Sequence, residues 1–294
     1  MKRLLTTLKT LILKISFLLI FTSSILSAND SSQVNYYKLG AYTGLSAGAF
    51  VYGQISQYDA YWSDRTDFYI MDWQTEYDDA LLADKGGHFF FAYFLARSYA
   101  AGLEWTGLSK KKSAWVAFGV SVFHQSYVEI NDGFSEGEIY LGFSRGDMIA
   151  NLMGSTYALA EVYYPSLQNF EFKISFNKSA NYERNNYEVI THDYESTYHW
   201  ISVDIFDLLN YEKGFWTDFT RIAFGHSTIN LDRFGSGQHE FYIALDWNLK
   251  AFNRFKFVKK NSFLQAFITA ADHYKLPSPM VRIHPNVVWY GLRF

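Results

Sequence analysis

Apolar residues recur at helical spacing in the first half of the chain and alternate with polar residues in the second half, with the change near Pro165. Upstream, the pattern predicts four helices, at 39–54, 84–105, 109–130 and 144–163. Downstream, a period of two predicts an antiparallel sheet of roughly five to seven strands. The predicted fold is therefore α+β, an N-terminal helical bundle followed by an antiparallel β-sheet, with a barrel-like sheet as the alternative.

The strand pattern is clearest at 239–249, where Phe241 and Ile243 fall on one face and Tyr242 and Asp246 on the other. A strand with one apolar and one polar side is expected to alternate in this way. The same pattern predicts further strands at 172–176, 201–205, 220–226 and 262–270. Between the first two predicted helices, the aromatic and acidic stretch 58–79 is predicted to be an ordered loop.

The last strand pattern ends at Phe294, with Leu292, Tyr290 and Val288 predicted on the same face. Fewer than about ten residues carry this pattern, which resembles the terminal strand of outer-membrane β-barrel proteins. A terminal strand in a soluble sheet alternates in the same way. The strand thus leaves two locations open, the outer membrane and the periplasm.

The first 28 residues have the layout of a secretory signal peptide, with Lys2 and Arg3, an apolar stretch, and small residues up to Ala28. We therefore predict three parts: a signal peptide at 1–28, a helical domain at 29–165 and a β domain at 166–294. Without the leader the chain has 22 basic and 29 acidic side chains, a net charge of −7. This balance makes nucleic acid an unfavourable partner.

Aromatic residues make up 20% of the chain, and it has no cysteine. Aromatic rings suit membrane interfaces, because they combine an apolar body with, in Tyr and Trp, a polar tip. The basic run Lys110–Lys112 is predicted to be a solvated turn, with binding to anionic lipid head groups as the alternative. Membrane or envelope components are the expected partners, and a protein partner stays unknown.

Three polar clusters lie at the ends of the predicted helices. The first opens the second helix with Asp84, Lys85 and His88, where Asp84 and His88 are one turn apart. The other two end the third helix and open the fourth, and their candidate residues are Glu129, Asp132, Asp147 and Asn151. In an antiparallel bundle these three helix ends lie together, so the clusters are predicted to meet.

These motifs carry a family resemblance. In order, they read Asp-Lys-Gly-Gly-His, Glu-Ile-Asn-Asp-Gly-Phe-Ser and Ser-Arg-Gly-Asp-Met-Ile-Ala-Asn-Leu-Met-Gly. Over 37–164 the chain resembles the YfiM-like family of predicted periplasmic lipoproteins, a domain of unknown function, here in a longer form with a β-rich C-terminal half. The resemblance implies an envelope location and supplies no reaction.

Two functions are consistent with the polar clusters. In the first, Asp84, Ser144 and Asp147 favour helix starts, and His88, Glu129 and Asn151 complete a buried hydrogen-bond network. The protein is then a noncatalytic structural, lipid-binding or partner-binding component of the periplasm or outer membrane, with no cofactor. In the second, imidazole and carboxylates hold a divalent metal in a hydrolase acting on an envelope substrate. Whether the chain is an enzyme is left open.

His124, on the third helix, is predicted to be a core residue with its hydrogen bonds satisfied. Six further histidines have no ligand spacing and are predicted to be surface or interface residues. They are His192, His199, His226, His239, His273 and His284.

Overall fold

The computed structural model describes residues 33–136, 141–185, 190, 193–212, 214–232 and 236–294. The predicted signal peptide at 1–28 lies outside the described residues, as does His192.

Helices dominate the described residues from 33 to Tyr163, and the four predicted helices are confirmed. The helices are α1 (Tyr36–Tyr61), α2 (Trp73–Asp78), α3 (Ala83–Trp105), α4 (Lys110–Asp132) and α5 (Arg145–Tyr163). The prediction of a loop at 58–79 was wrong at both ends, because α1 continues to Tyr61 and α2 begins at Trp73. The Asp72 carboxylate caps α2 by accepting the backbone N–H groups of Gln74 and Thr75, each at 3.0 Å, which satisfies donors that a helix start leaves open.

After Tyr163, the described residues contain six strands and several short helices. The strands are β1 (Phe170–Phe176), β2 (Thr197–Val203), β3 (Thr220–Ile229), β4 (Gln238–Trp247), β5 (Ser278–His284) and β6 (Val288–Arg293). The helices between them are α6 (Ala180–Asn185), α7 (Ile205–Leu208), α8 (Phe215–Phe219), α9 (Lys256–Lys259) and α10 (Ser262–Ala271).

The six strands form one antiparallel sheet in the order β1-β2-β3-β4-β5-β6, so each strand pairs with its neighbours in sequence. In the described residues, β1 and β6 are its edges. The predicted α+β class, with a helical part followed by an antiparallel sheet, is confirmed. Register shifts occur where β4 meets β5 and where β5 meets β6, and the second of these changes the face that Arg293 occupies.

The prediction of a strand at 262–270 was wrong, since this segment is helix α10. The Asn261 side chain caps it by accepting the backbone N–H of Leu264 at 3.1 Å. Ile268, one turn after Leu264, is buried. A short apolar run of this length fits both periods, and the cap decides for the helix.

The chain divides into two compact units. The first unit contains the described residues up to Met71 together with Ala92–Val162, and the second contains Asp72–Phe91 and Tyr163–Phe294. In the first unit, Ser121 on α4 lies 2.9 Å from Ser155 on α5, oxygen to oxygen, and donates to the carbonyl of Ala92 at 3.0 Å. Small polar side chains thus bring these helices close together.

None of the helices within the described residues combines the length and the apolar character that crossing a bilayer requires.

Candidate functional site

The first polar cluster opens α3 in the second unit. Asp84 lies in the first turn of α3 and is buried. It forms an ion pair with Lys85, whose Nζ lies 2.8 Å from the carboxylate. Its negative charge suits the positive end of the helix dipole. The three residues before α3 have left-handed backbones with φ of 48°, 53° and 65°, and they are Ala80, Leu81 and Leu82. L-residues disfavour this conformation, so the turn that presents the cluster depends on its surroundings.

The two glycines of this cluster make room for His199 from β2. A Cβ atom on Gly86 would lie 2.9 Å from Nδ1 of His199, and one on Gly87 would lie 3.7 Å from Nε2. Burial, aided by the charge of His226, lowers the pKa of His199 to about 3, so the ring is neutral at pH 7. Within the described part of the chain neither ring nitrogen has a hydrogen-bond partner.

The second and third clusters lie in the first unit, on α4 and α5. Glu129 and Asn151 are both buried, and the Asn151 amide donates to the Glu129 carboxylate at 3.4 Å. Asp132 accepts the indole N–H of Trp62 at 2.6 Å. Two of the four predicted polar side chains of this unit are therefore joined directly, and a third is held by the end of α1.

Asp147 lies in the first turn of α5 and donates its backbone N–H to Ser144 Oγ at 3.0 Å. Ser144 is thus the cap that the sequence predicts. Burial raises the pKa of Asp132 to about 6, the Trp62 hydrogen bond opposes the rise, and the charge of Asp147 adds to it. The carboxylates of Asp132 and Asp147 are therefore close enough to interact.

Arg65 and Trp62 belong to this cluster, although sequence reasoning placed both in the aromatic and acidic loop. Arg65 donates to the side-chain oxygen of Asn131 at 3.0 Å, and Ser135 Oγ donates to the Asn131 carbonyl at 2.8 Å. A Cβ on Gly133 would lie 2.4 Å from the ring of Phe68. The motif that ends α4 therefore holds the segment after α1. The signal available in the sequence was a tryptophan and an arginine among acidic residues.

The polar face of the sheet is the buried one. Lys173 on β1 is fully buried, with its ammonium 2.7 Å from Asp246 and 3.2 Å from Asp272. Ser202 donates to Asp246 at 2.6 Å, and Lys250 pairs with buried Glu171 at 2.6 Å. Buried charges persist only when they are paired and hydrogen-bonded, and these pairs meet that condition.

Aromatic and basic side chains continue the same buried face. Tyr198, Trp200 and Tyr242 pack together with Tyr290 beside them. The Lys275 ammonium lies 4.6 Å from the ring centroid of Trp200 and donates to Ser278 Oγ at 2.6 Å. Burial lowers the pKa of Lys275 to about 8, although the charge of Asp246 opposes the shift.

Tyr290 and Arg293 of β6 occupy this buried side together. The Arg293 guanidinium lies 4.5 Å from the ring centroid of Tyr290 and donates to Tyr198 Oη at 3.1 Å. Strict alternation had placed these two residues on opposite faces. The register shift beside β5 inserts an extra residue between them, and an extra residue of this kind moves the later residues of the strand to the other face.

The opposite face of the sheet is mostly apolar, with histidines on β2, β3 and β4, and much of it is exposed outside the part that α3 covers. One row of cross-strand neighbours, called the outer row, runs through all six strands as Phe172, Ile201, Phe224, Ile243, Val281 and Trp289. The ring of Phe89 covers Phe172 at a centroid distance of 4.6 Å. Further along the row, Phe224 is 49% exposed and Trp289 is 79% exposed.

The prediction that the histidines are surface or interface residues was wrong for His273 and His199. His273 is buried, with Nε2 3.6 Å from the Glu171 carboxylate, and His199 packs against Gly86. Strand register brings three others together, since His226 Nε2 lies 3.0 Å from His239 Nδ1 and Phe241 pairs with His284. Residues scattered in sequence are neighbours here because the strands are antiparallel and consecutive.

Comparison with known proteins finds a family that matches part of the chain. Residues 72–162 match a family described as predicted periplasmic lipoprotein (DUF2279). No curated protein and no solved structure matches the chain. The matched stretch contains all three polar motifs, and its family is the kind of predicted periplasmic lipoprotein that they resemble. The chain is accordingly an exported protein of the periplasm or outer membrane.

Proposed function

We propose that this chain is a noncatalytic envelope protein that binds the surface of a lipid bilayer through the apolar face of its C-terminal sheet. The observation that supports the proposal is the inverted sheet. Its ion pairs, including Lys173 with Asp246, are buried, while apolar side chains such as Phe224 and Ile243 are open. A sheet in water normally faces its core with the apolar side.

A contiguous apolar surface on a folded protein marks an interaction site. The outer row is apolar across every strand, and its neighbours Phe241 and Leu245 are also exposed. Lipid fits this surface because every side chain of the outer row is apolar and none carries a charge that would demand a partner. Half-exposed phenylalanine and isoleucine side chains gain about 1 kcal/mol each when a bilayer covers them.

The helical part supports a structural role for the polar motifs. Their carboxylates take protein partners, Asn151 for Glu129 and Trp62 for Asp132. We infer that this part is the YfiM-like domain, in a longer form that carries the sheet as its membrane-binding half. The three motifs in order, within the matched residues, support this assignment.

Co-sedimentation with phosphatidylcholine vesicles tests the lipid proposal. The test variant carries Phe224→Ser, Phe241→Ser and Ile243→Ser, all on the open face. We expect the wild type to sediment with vesicles and the triple variant to partition roughly 100-fold less, from about 1 kcal/mol per side chain. The control is Ile149→Ser, an exposed isoleucine on α5 of the first unit, which should bind as the wild type does.

Thermal unfolding of each variant checks that the fold is kept. Wild-type protein that stays in the supernatant, or a triple variant that sediments like the wild type, would overturn the proposal. Sedimentation velocity without lipid tests whether a second copy of the chain covers the apolar face instead. A dimer that the triple substitution abolishes, combined with no vesicle binding, would assign the face to a second copy of the chain instead.

A further inference from the structure

The segment after β4 concentrates positive charge in an acidic protein. Residues 249–261 read Leu-Lys-Ala-Phe-Asn-Arg-Phe-Lys-Phe-Val-Lys-Lys-Asn, with five basic residues and no acidic one. The whole chain has a net charge of −3. Phenylalanines at 252, 255 and 257 alternate with the basic residues. Basic and aromatic residues in alternation are typical of segments that lie at a membrane surface.

Two of these basic residues have acidic partners within the protein. Lys250 pairs with Glu171 at 2.6 Å, and Arg254 pairs with Asp218 at 2.6 Å. They anchor the segment to β1 and α8. Val258, which is buried, holds α9 from its other side.

The other three, Lys256, Lys259 and Lys260, are exposed, and none forms an ion pair with any residue that the structure describes. They lie within five positions of one another on a single short helix and the residue after it. Three like charges held this close repel one another, and the energy of that arrangement falls when an anion approaches.

Aromatic rings connect this basic group to the segment that precedes β3. Ring centroids are 5.9 Å apart from Phe257 to Phe255, 6.1 Å from Phe255 to Phe252, and 5.0 Å from Phe252 to Phe219. Phe219 directly precedes β3, and its carbonyl accepts the backbone N–H of Asn248 at 2.9 Å. The chain of rings therefore ends where β3 begins and β4 ends.

We propose that Lys256, Lys259 and Lys260 bind the phosphate groups of anionic phospholipids, while the neighbouring phenylalanines enter the interface beside them. The inference rests on the proposed lipid-binding function and adds the head-group class that the protein prefers. Phe257 lies between Lys256 and Lys259 in the sequence and is exposed, so it supplies an apolar side chain next to the lysines. Each lysine near an anionic surface adds attraction, and salt screens it.

Two vesicle preparations test this inference, phosphatidylcholine alone and phosphatidylcholine mixed with phosphatidylglycerol. We expect the wild type to bind the mixed vesicles roughly 10- to 100-fold more tightly than the neutral ones at low salt. High salt should remove the difference. The test variant, Lys256→Gln with Lys259→Gln and Lys260→Gln, should lose the preference and keep the neutral-vesicle affinity.

The matched control is Lys110→Gln with Lys111→Gln and Lys112→Gln, which removes the same charge from α4. We expect it to keep the preference for anionic vesicles. Equal loss in both triple variants would show a general effect of net charge and overturn the inference. Equal wild-type binding to both vesicles would also overturn it, while leaving the apolar proposal intact. No binding to either vesicle overturns the proposed function itself, so the two failures are distinguishable.

Discussion

The imidazole of His199 accounts for the two glycines at the start of α3. The ring lies against the backbone of Gly86 and Gly87, where a methyl group on Gly86 would approach it to 2.9 Å. Sequence reasoning identified the Asp-Lys-Gly-Gly-His motif but assigned His199 to the surface. The motif and the histidine are more than one hundred positions apart, and only the fold brings them together.

Gly86→Ala should destabilise the protein by about 1–2 kcal/mol, because overpacking against His199 outweighs the better helix propensity of alanine. Urea unfolding measures the change. Gly48→Ala is the control, since a Cβ there meets no atom within 4 Å; it should stabilise α1 by about 0.5–1 kcal/mol. In the background of His199→Ala the loss at Gly86 should disappear, and a loss that persists would contradict the contact.

Because of Asp132, the free energy of unfolding should fall as the pH rises from about 4 to about 6. Its pKa is raised to about 6 in the folded state from 3.8, so the folded state binds more protons than the unfolded state in that window. The unfavourable contribution is absent below pH 3.8 and complete above pH 6.

Between pH 4 and pH 7 the free energy of unfolding of the wild type should therefore fall by roughly 2 kcal/mol relative to that of Asp132→Asn. Its side-chain oxygen still accepts from Trp62, which keeps the contact constant. Chemical denaturation at several pH values measures the difference, and parallel pH profiles for the two proteins would contradict the assignment.

At the scale of elements, periodicity predicted most helices and strands but did not determine which side of the sheet is buried. Alternation in β4 separates Phe241 and Ile243 from Tyr242 and Asp246 without saying which pair is covered. The ion pair of Lys173 with Asp246 decides it, and those residues are more than seventy positions apart. Helix α10 escaped prediction because its short apolar run fits both periods and its cap, Asn261, lies just outside the run.

Lys173→Met should cost about 3–5 kcal/mol, because buried Asp246 would lose the ammonium that lies 2.7 Å from it. Asp272 would keep only the longer contacts, to Lys250 at 3.6 Å and to Arg221 at 4.0 Å. Lys260→Met, an exposed lysine, is the matched control and should change stability by less than about 0.5 kcal/mol. The double variant Lys173→Met with Asp246→Asn should recover part of the loss, as one of the uncompensated charges is removed. Equal stability of the wild type and Lys173→Met would refute the proposed role of this ion pair.

At the scale of the whole molecule, the order of a helical part and a sheet was predictable from the change of period near Pro165. The candidate site was less predictable. Glu129 and Asn151 were predicted to meet, and they do, whereas Trp62 and Arg65 joined the cluster from a segment that gave no periodic signal.

We expect the exported protein to need no metal ion, because three of the candidate ligands have protein partners: Glu129 and Asp132 accept from protein donors, and Asp84 pairs with Lys85. After dialysis against a chelator, its Tm should be unchanged, and elemental analysis should find no stoichiometric metal. The control is the same protein dialysed against buffer with added zinc or manganese. One equivalent of metal per chain, together with a lower Tm in chelator, would favour the hydrolase hypothesis over the hydrogen-bond network.

The inverted sheet separates the side chains that hold the strands together from those that meet the outside. In most sheets the apolar side chains form the core, so they cannot be made polar without loss of stability. Here the outer residues can be replaced by serine or threonine while the ionic interior is left untouched. A highly soluble variant with native stability should therefore be obtainable from this chain, suitable for crystallisation or solution NMR without detergent.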